Sequence, residues 1–122
     1  MNFLKPLLSK RIGQAKEQEA AHWLKQQGIK IITHNHHCKG GEIDLIGESK
    51  QPLTLVFFEI KYRKSDQYGH ASEMLTTAQQ RRIRRCAEHY LQTHPEFKQH
   101  WIRFDLVSWQ GTEQKQWLKN AF

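Results

Sequence analysis

The sequence predicts an α/β protein with one mixed sheet flanked by helices, in the order α-β-β-β-α-β plus a short last strand. Three observations predict it. Apolar residues recur at helical spacing in two segments, residues 11–28 and 71–93. Three short runs rich in Ile, Val and Phe lie between those segments, and a fourth follows the second. The chain has 122 residues, enough for one modest core, so a single domain over 1–122 is expected.

In the first helix, Ala15, Ala20, Ala21, Trp23 and Leu24 supply the apolar side and Gly28 is the stop. The preceding residues 1–10 carry Phe3-Leu4 and Leu7-Leu8 but are broken by Lys5, Pro6 and Lys10. They read as a flexible basic segment and not as a secretory signal. Residues 29–35 form the first strand. After Gly40-Gly41, residues 42–47 form the second. Gln51-Pro52 marks a turn, and residues 53–61, with Val56, Phe57 and Phe58, are the clearest strand of all. Residues 62–70 read as a polar loop. In the long helix Leu75, Ile83, Cys86, Ala87, Tyr90 and Leu91 recur at helical spacing, and Pro95 lies just past its end. Trp101 to Trp109 alternates as a fourth strand, and residues 116–119 make a short fifth.

Composition excludes several classes. No stretch approaches the roughly 18 apolar residues of a membrane span. Two cysteines, Cys38 and Cys86, cannot build a disulfide framework, so a reducing cytoplasm is the default setting. Nineteen Lys and Arg against twelve Asp and Glu leave a formal charge of +7, which favours a polyanionic partner, most commonly nucleic acid.

The minority of acids is more informative than the surplus of bases. Acids are disfavoured in strands, most of all on buried faces. Yet Glu42 and Asp44 share a segment with Ile43, Leu45 and Ile46, and Glu59 lies within Val56-Phe57-Phe58-Glu59-Ile60-Lys61. Period-two geometry puts Glu59 and Lys61 on one face, and Asp44 reaches that face if the two strands pair in suitable register. Glu17 shares the apolar stripe of the first helix with Ala21 and Leu24. Converging carboxylates beside a lysine suit a hard cation such as Mg²⁺ or Mn²⁺ and hydrolysis of a phosphodiester. Each short pattern alone would be an ordinary paired acid. Their succession on neighbouring elements makes the site reading the stronger one.

These residues carry a resemblance. Gly13-x-x-x-Glu17 with Ala21 and Leu24, Asn35, Gly41-Glu42-Ile43-Asp44-Leu45-Ile46, Val56 to Arg63, Arg103-Phe104-Asp105 and Asn120-Ala121-Phe122 together resemble the YraN-like family of small bacterial proteins. That family is similar to the PD-(D/E)XK nucleases, with archaeal Holliday junction resolvases nearest in activity. The resemblance implies a restriction endonuclease-like core. It implies that Asp44 and Glu59 bind a metal with the Ile60 carbonyl as a further ligand, that Lys61 serves the attacking water or the transition state, and that Glu17 completes the acidic site. Glu42 is then a supporting residue. Ile43 stands where the motif's proline would, and Gln79 stands where many relatives carry a lysine. Gln79 can touch a phosphate or a water but supplies no charge. Resolvase relatives act as dimers, which leaves a homodimer open.

Arg81, Arg82, Arg84 and Arg85 flank Ile83 on the long helix. With Arg63 and Lys64 they are candidates for binding phosphates without reading base sequence. His34-Asn35-His36-His37-Cys38 lacks a second ligand cluster at zinc-site spacing and reads as a polar strand end. Trp101, Trp109 and Trp117 are expected to pack rather than to stack on bases. Two functions follow: a metal-dependent endonuclease acting on DNA, such as branched or recombination-intermediate DNA, or a non-catalytic nucleic-acid-binding module of a repair or RNA-processing complex. A structural adaptor with a merely basic surface is the third reading.

Overall fold

The computed structural model describes residues 4–64 and 75–122, with side chains from residue 13 onward. The element order is α1 (Leu4–Gln26), β1 (Lys30–Cys38), β2 (Gly41–Ser49), β3 (Thr54–Arg63), α2 (Thr77–Thr93), β4 (Trp101–Gln110) and β5 (Gln116–Leu118), with a 3-10 turn at Pro95–Phe97 before β4. The sheet order is β1-β2-β3-β4-β5. All neighbours are antiparallel except β3 and β4, which are parallel. A parallel pair needs a crossover, and α2 supplies it. The expected α-β-β-β-α-β layout with one mixed sheet is therefore present.

The two helices cover opposite faces. Ala20, Ala21 and Leu24 of α1 pack on Leu45, Val56, Phe58, Ile60, Val107 and Trp109. On the other face Ile83, Cys86, Ala87 and Tyr90 of α2 pack on Ile43, Ile46, Leu55 and Phe57. The central strand β3 is thus apolar on both faces, which explains its nearly unbroken hydrophobic run.

Several boundaries differ from the expectations. The helix α1 begins at Leu4, so residues 4–10 are helical and not an extended basic segment. Pro6 is tolerated because it falls in the first turn, where backbone N–H groups have no helical acceptor. The strand β1 runs on through His36, His37 and Cys38. Tyr62 and Arg63 belong to β3 and not to a loop, because both pair with β4. The long helix starts at Thr77 instead of 71. Thr76 caps it, accepting from the Gln79 N–H at 3.1 Å while Gln79 Oε1 accepts from the Thr76 N–H at 2.9 Å. The other residues of the expected loop and helix start, 65–74, lie outside the described residues. Trp109 is buried and Trp117 half-buried, but Trp101 is 71% exposed and does not pack. Cys38 and Cys86 are joined by a disulfide, with Cα atoms 5.6 Å apart. Among the described residues no helix is long and apolar enough to cross a membrane.

Candidate active site: a carboxylate cluster where two strands part

The register of β2 and β3 brings the acids together. Leu45 pairs with Phe58, so one step further along the antiparallel ladder sets Asp44 opposite Glu59. The ladder stops there. Ile43 packs toward α2 while Leu45 packs toward α1, so the alternation of faces breaks around Asp44. In place of a further ladder bond, Asp44 Oδ2 accepts the Ile60 N–H at 2.8 Å. The side chain thereby bridges the gap between two strands that separate at this point. Asp44 is only 6% exposed.

The gap opens into a cleft of about 320 Å³ lined by Asp44, Glu59, Lys61, Glu42, Gly41, Gln79, Arg82 and Ile83. Lys61 Nζ stands 4.0 Å from Glu59 Oε1, and the two side chains are 22% and 15% exposed. Two residues apart on β3, they share a face as the alternation requires. Burial, then the Asp44 charge and hydrogen bond, push Glu59 up to about 9, against the lowering influence of Lys61. Glu17 comes from α1. Burial first, then Asp44 by charge and hydrogen bond, push it up to about 8. Glu17 from α1 and Glu59 from β3 therefore converge on Asp44 of β2, and both hold protons at neutral pH as a consequence.

The donor set fits a hard cation. Glu17 Oε2 is buried without a hydrogen-bond partner among the described residues. A cation would replace the protons that hold the cluster together now. Among the described residues no three or more His, Cys, Asp and Glu side chains are arranged to hold a metal ion by themselves. Mg²⁺ asks for less: one or two carboxylates, with waters and phosphate oxygens completing the shell. Asp44 and Glu59 both line the cleft.

Other candidates are placed less uniformly. Gln79 lines the cleft, but its Oε1 is committed to the helix cap. Ile60 contributes its N–H to Asp44. Arg63 is half-buried near the end of β3, and Lys64 is exposed just after it. The four arginines of α2 are all exposed and fan around the helix rather than sharing one face. At 100° per residue Arg82 lies on the cleft side of Ile83 and Arg84 on the opposite flank. The Arg84 guanidinium sits 4.8 Å over the Phe104 ring. Arg81 and Arg85 point away from the sheet by the same geometry.

Two residues emerge that the motifs had not singled out for a role. Asn35 has φ 48°, a left-handed conformation that Asn tolerates better than most residues. It lies between His34, opposite Leu45, and His36, opposite Ile43, which places it across from Asp44. Its side chain is a hydrogen-bonding neighbour of Glu17, and this opposes the rise of the Glu17 pKa. His37 Nδ1 stands 3.3 Å from Glu42 Oε2. Glu42 in turn separates the main cleft from a second hollow of about 270 Å³ that holds Glu17 and Asn35.

Fold and cleft together define a small α/β protein whose buried acids meet at the parting of two central strands, under a basic helix. The chain belongs to the uncharacterised protein family UPF0102, whose model matches residues 16–109, and this is the YraN-like family the motifs resemble. A UPF0102 protein of Alcanivorax borkumensis is 41% identical over 96% of this chain and 97% of its own length. Those of Nitrosococcus oceani and Coxiella burnetii are 38% and 39% identical, covering 98% and 93% of this chain and 97% and 93% of their own lengths.

Proposed function

We propose that the protein is a metal-dependent nuclease-like protein that binds DNA and hydrolyses its phosphodiesters. The observation that carries this reading is the placement of Asp44 opposite Glu59 at the parting of β2 and β3, with Lys61 beside them and an open cleft in front. Asp44 and Glu59 would hold Mg²⁺ or Mn²⁺, with the Ile60 carbonyl as a further ligand and Glu17 completing the acidic wall. The bound ion would polarise the phosphoryl oxygen and make water easier to deprotonate. Lys61 would orient the attacking water or stabilise charge developing on the phosphate. Arg82, on the cleft side of α2, would hold a phosphate next to the one cleaved, and Arg81, Arg85, Arg63 and Lys64 would follow the backbone further out. Branched or recombination-intermediate DNA is the substrate class this proposal favours, and the cytoplasm is its setting.

One observation favours a second reading, a nucleic-acid-binding module without efficient chemistry. The Gln79 side chain closes a helix cap instead of offering charge to the cleft. Incubation with Mg²⁺ or Mn²⁺ and plasmid, single-stranded or four-way-junction DNA separates the two. Cleavage lost in both Asp44→Asn and Lys61→Ala supports the nuclease. Cleavage that survives both equally comes from a contaminant and defeats the proposal. Binding without cleavage in the parent chain selects the module.

A further inference from the structure

The bond between Cys38 and Cys86 lies at a mechanically sensitive place. Cys38 is the last residue of β1 and pairs with Gly41 across the β1–β2 hairpin. Gly41 lines the cleft, and a Cβ there would stand 3.5 Å from Arg82 Cβ. Cys86 is one helical turn beyond Arg82 on the same side of α2. The bond therefore fastens the tip of the hairpin to the helix next to the cleft wall that both elements build. The fully buried residues of α2 are Ile83, Cys86, Ala87 and Tyr90; among its first six residues, Thr77 to Arg82, only Gln79 and Gln80 are even partly buried. Ile83 and the bridge are the nearest fully buried anchors of that half of the helix.

We propose that Cys38 and Cys86 form a reversible thiol–disulfide site that clamps the Gln79–Arg82 end of α2 over the cleft when oxidised and releases it when reduced. Cα atoms 5.6 Å apart lie at the usual spacing for such a bond. Cys38 is half-buried, whereas Cys86 is fully buried. The more accessible partner, Cys38, therefore reacts first. The Cys38 thiolate attacks a low-molecular-weight disulfide, forming a mixed disulfide and releasing one thiolate. The Cys86 thiolate then attacks the Cys38 sulfur and releases the second. One disulfide is consumed, two thiols are produced, and the two protons lost by the cysteines end on them. Reduction by two thiols runs the same steps backward. In a reducing compartment a bridge of this kind is cycled and sensed rather than permanent.

The consequence for DNA rests on the proposed function; the clamp itself does not. The test uses the full chain, poised with oxidised or reduced glutathione, in EDTA so that no cleavage intervenes. Amide hydrogen exchange over Thr77 to Arg85 is expected to be faster in the reduced form. Affinity for a duplex oligonucleotide is expected to be at least about five-fold weaker in the reduced form, within the range of ordinary coupling between sites. Linkage then requires saturating DNA to make the bond harder to reduce by the same factor, about 20 mV for five-fold. Cys38→Ser should match the reduced form in either buffer. Cys38→Ala serves as a second variant, and both leave the buried Cys86 in place. Free thiols at high glutathione disulfide, or identical exchange in both redox states, would overturn the clamp. Faster exchange on reduction with no DNA binding in either state would sustain the clamp and remove the nucleic-acid reading.

Discussion

Asp105→Asn should be among the most costly conservative changes in this protein. Asp105 is fully buried in β4. Its Oδ1 accepts from Arg103 Nε and the Asn120 N–H, each at 2.9 Å. Its Oδ2 accepts from Arg103 Nη2 and Trp117 Nε1, each at 2.9 Å. Every group facing the carboxylate is a donor. An amide keeps one acceptor oxygen and turns an NH₂ toward at least one of those donors, while Arg103 loses its counter-charge. Removing one partner of a buried pair costs about 3–5 kcal/mol. The Arg103 side chain is 24% exposed and can partly recover water, so about 3 kcal/mol is the better figure. At the usual stability per residue, a chain of 122 residues has roughly 6–18 kcal/mol in total, so the loss is a large part of it. Urea unfolding, followed by Trp fluorescence and far-UV circular dichroism, measures it. A loss below about 1 kcal/mol with an unchanged m-value would refute the reasoning. A functional effect should accompany the change. Asp105 pairs with Phe58 and the next residue, Leu106, with Glu59, so loosening β4 loosens the strand that carries Glu59 and Lys61.

The remaining predictions concern packing, charge and pH. Gly47→Ala should cost about 1–3 kcal/mol, because its Cβ would stand 2.6 Å from Ile29 Cγ2 and 3.2 Å from the Lys30 carbonyl oxygen; a neutral result in the same urea assay would mean that β1 can shift. Arg82→Gln should weaken duplex binding and lower the slope of log affinity against log salt by about 1, whereas Arg84→Gln should leave affinity within about two-fold and lose stability instead. Equal effects of both on binding would show that the α2 arginines act as one undifferentiated patch. Glu17 and Glu59 are raised in the folded chain to about 8 and about 9 from 4.5. Between those values the folded state holds more protons than the unfolded one. Their stabilisation is complete below pH 4.5 and is lost as pH rises through 8 and 9. In EDTA, the parent should therefore lose stability between pH 5 and 9 relative to the Glu17→Gln, Glu59→Gln double variant; parallel profiles would show that the fold does not raise the two carboxyls.

What could be seen in the sequence was whatever depends on local pattern. Glu59 and Lys61 share a face because a strand alternates, and Glu17 joins the apolar stripe because a helix repeats every 3.6 residues. The Thr76-x-x-Gln79 capping box fixes the start of α2, and helical periodicity alone ran past it. What depends on pairing was not legible. No local pattern announces that the β2–β3 ladder ends at Leu45 and Phe58, or that Asn35 adopts φ 48° across from Asp44. The disulfide belongs to the same class: Cys38 and Cys86 are 48 residues apart and meet only because α2 returns over the hairpin. The surroundings of the four arginines were hidden for a related reason. Their angular spread was calculable, but that Phe104 waits under Arg84 was not.

The parting of the strands gives Asp44 two roles that must be separated before any variant there is interpreted. Oδ2 accepts the Ile60 N–H at 2.8 Å and so replaces a sheet hydrogen bond, while the charge of the carboxylate acts on Glu17 and Glu59. Asp44→Ala would remove both roles and leave the Ile60 N–H unsatisfied at a buried position, a cost of about 1–3 kcal/mol. A loss of activity in that variant would say little about chemistry, because Glu59 and Lys61 flank Ile60 and would move with it. Asp44→Asn retains an oxygen for the Ile60 N–H and holds the strands apart at the same place, but it removes the charge that a cation requires. The same reasoning explains why an acid occurs here at all. A neutral residue able to accept one hydrogen bond would suffice for the sheet, and it would add no charge to the burial that already raises Glu17 and Glu59. Burial first, and Asp44 second, make it costly for Glu17 and Glu59 to ionise, and under the proposed function a cation would take the place of their protons.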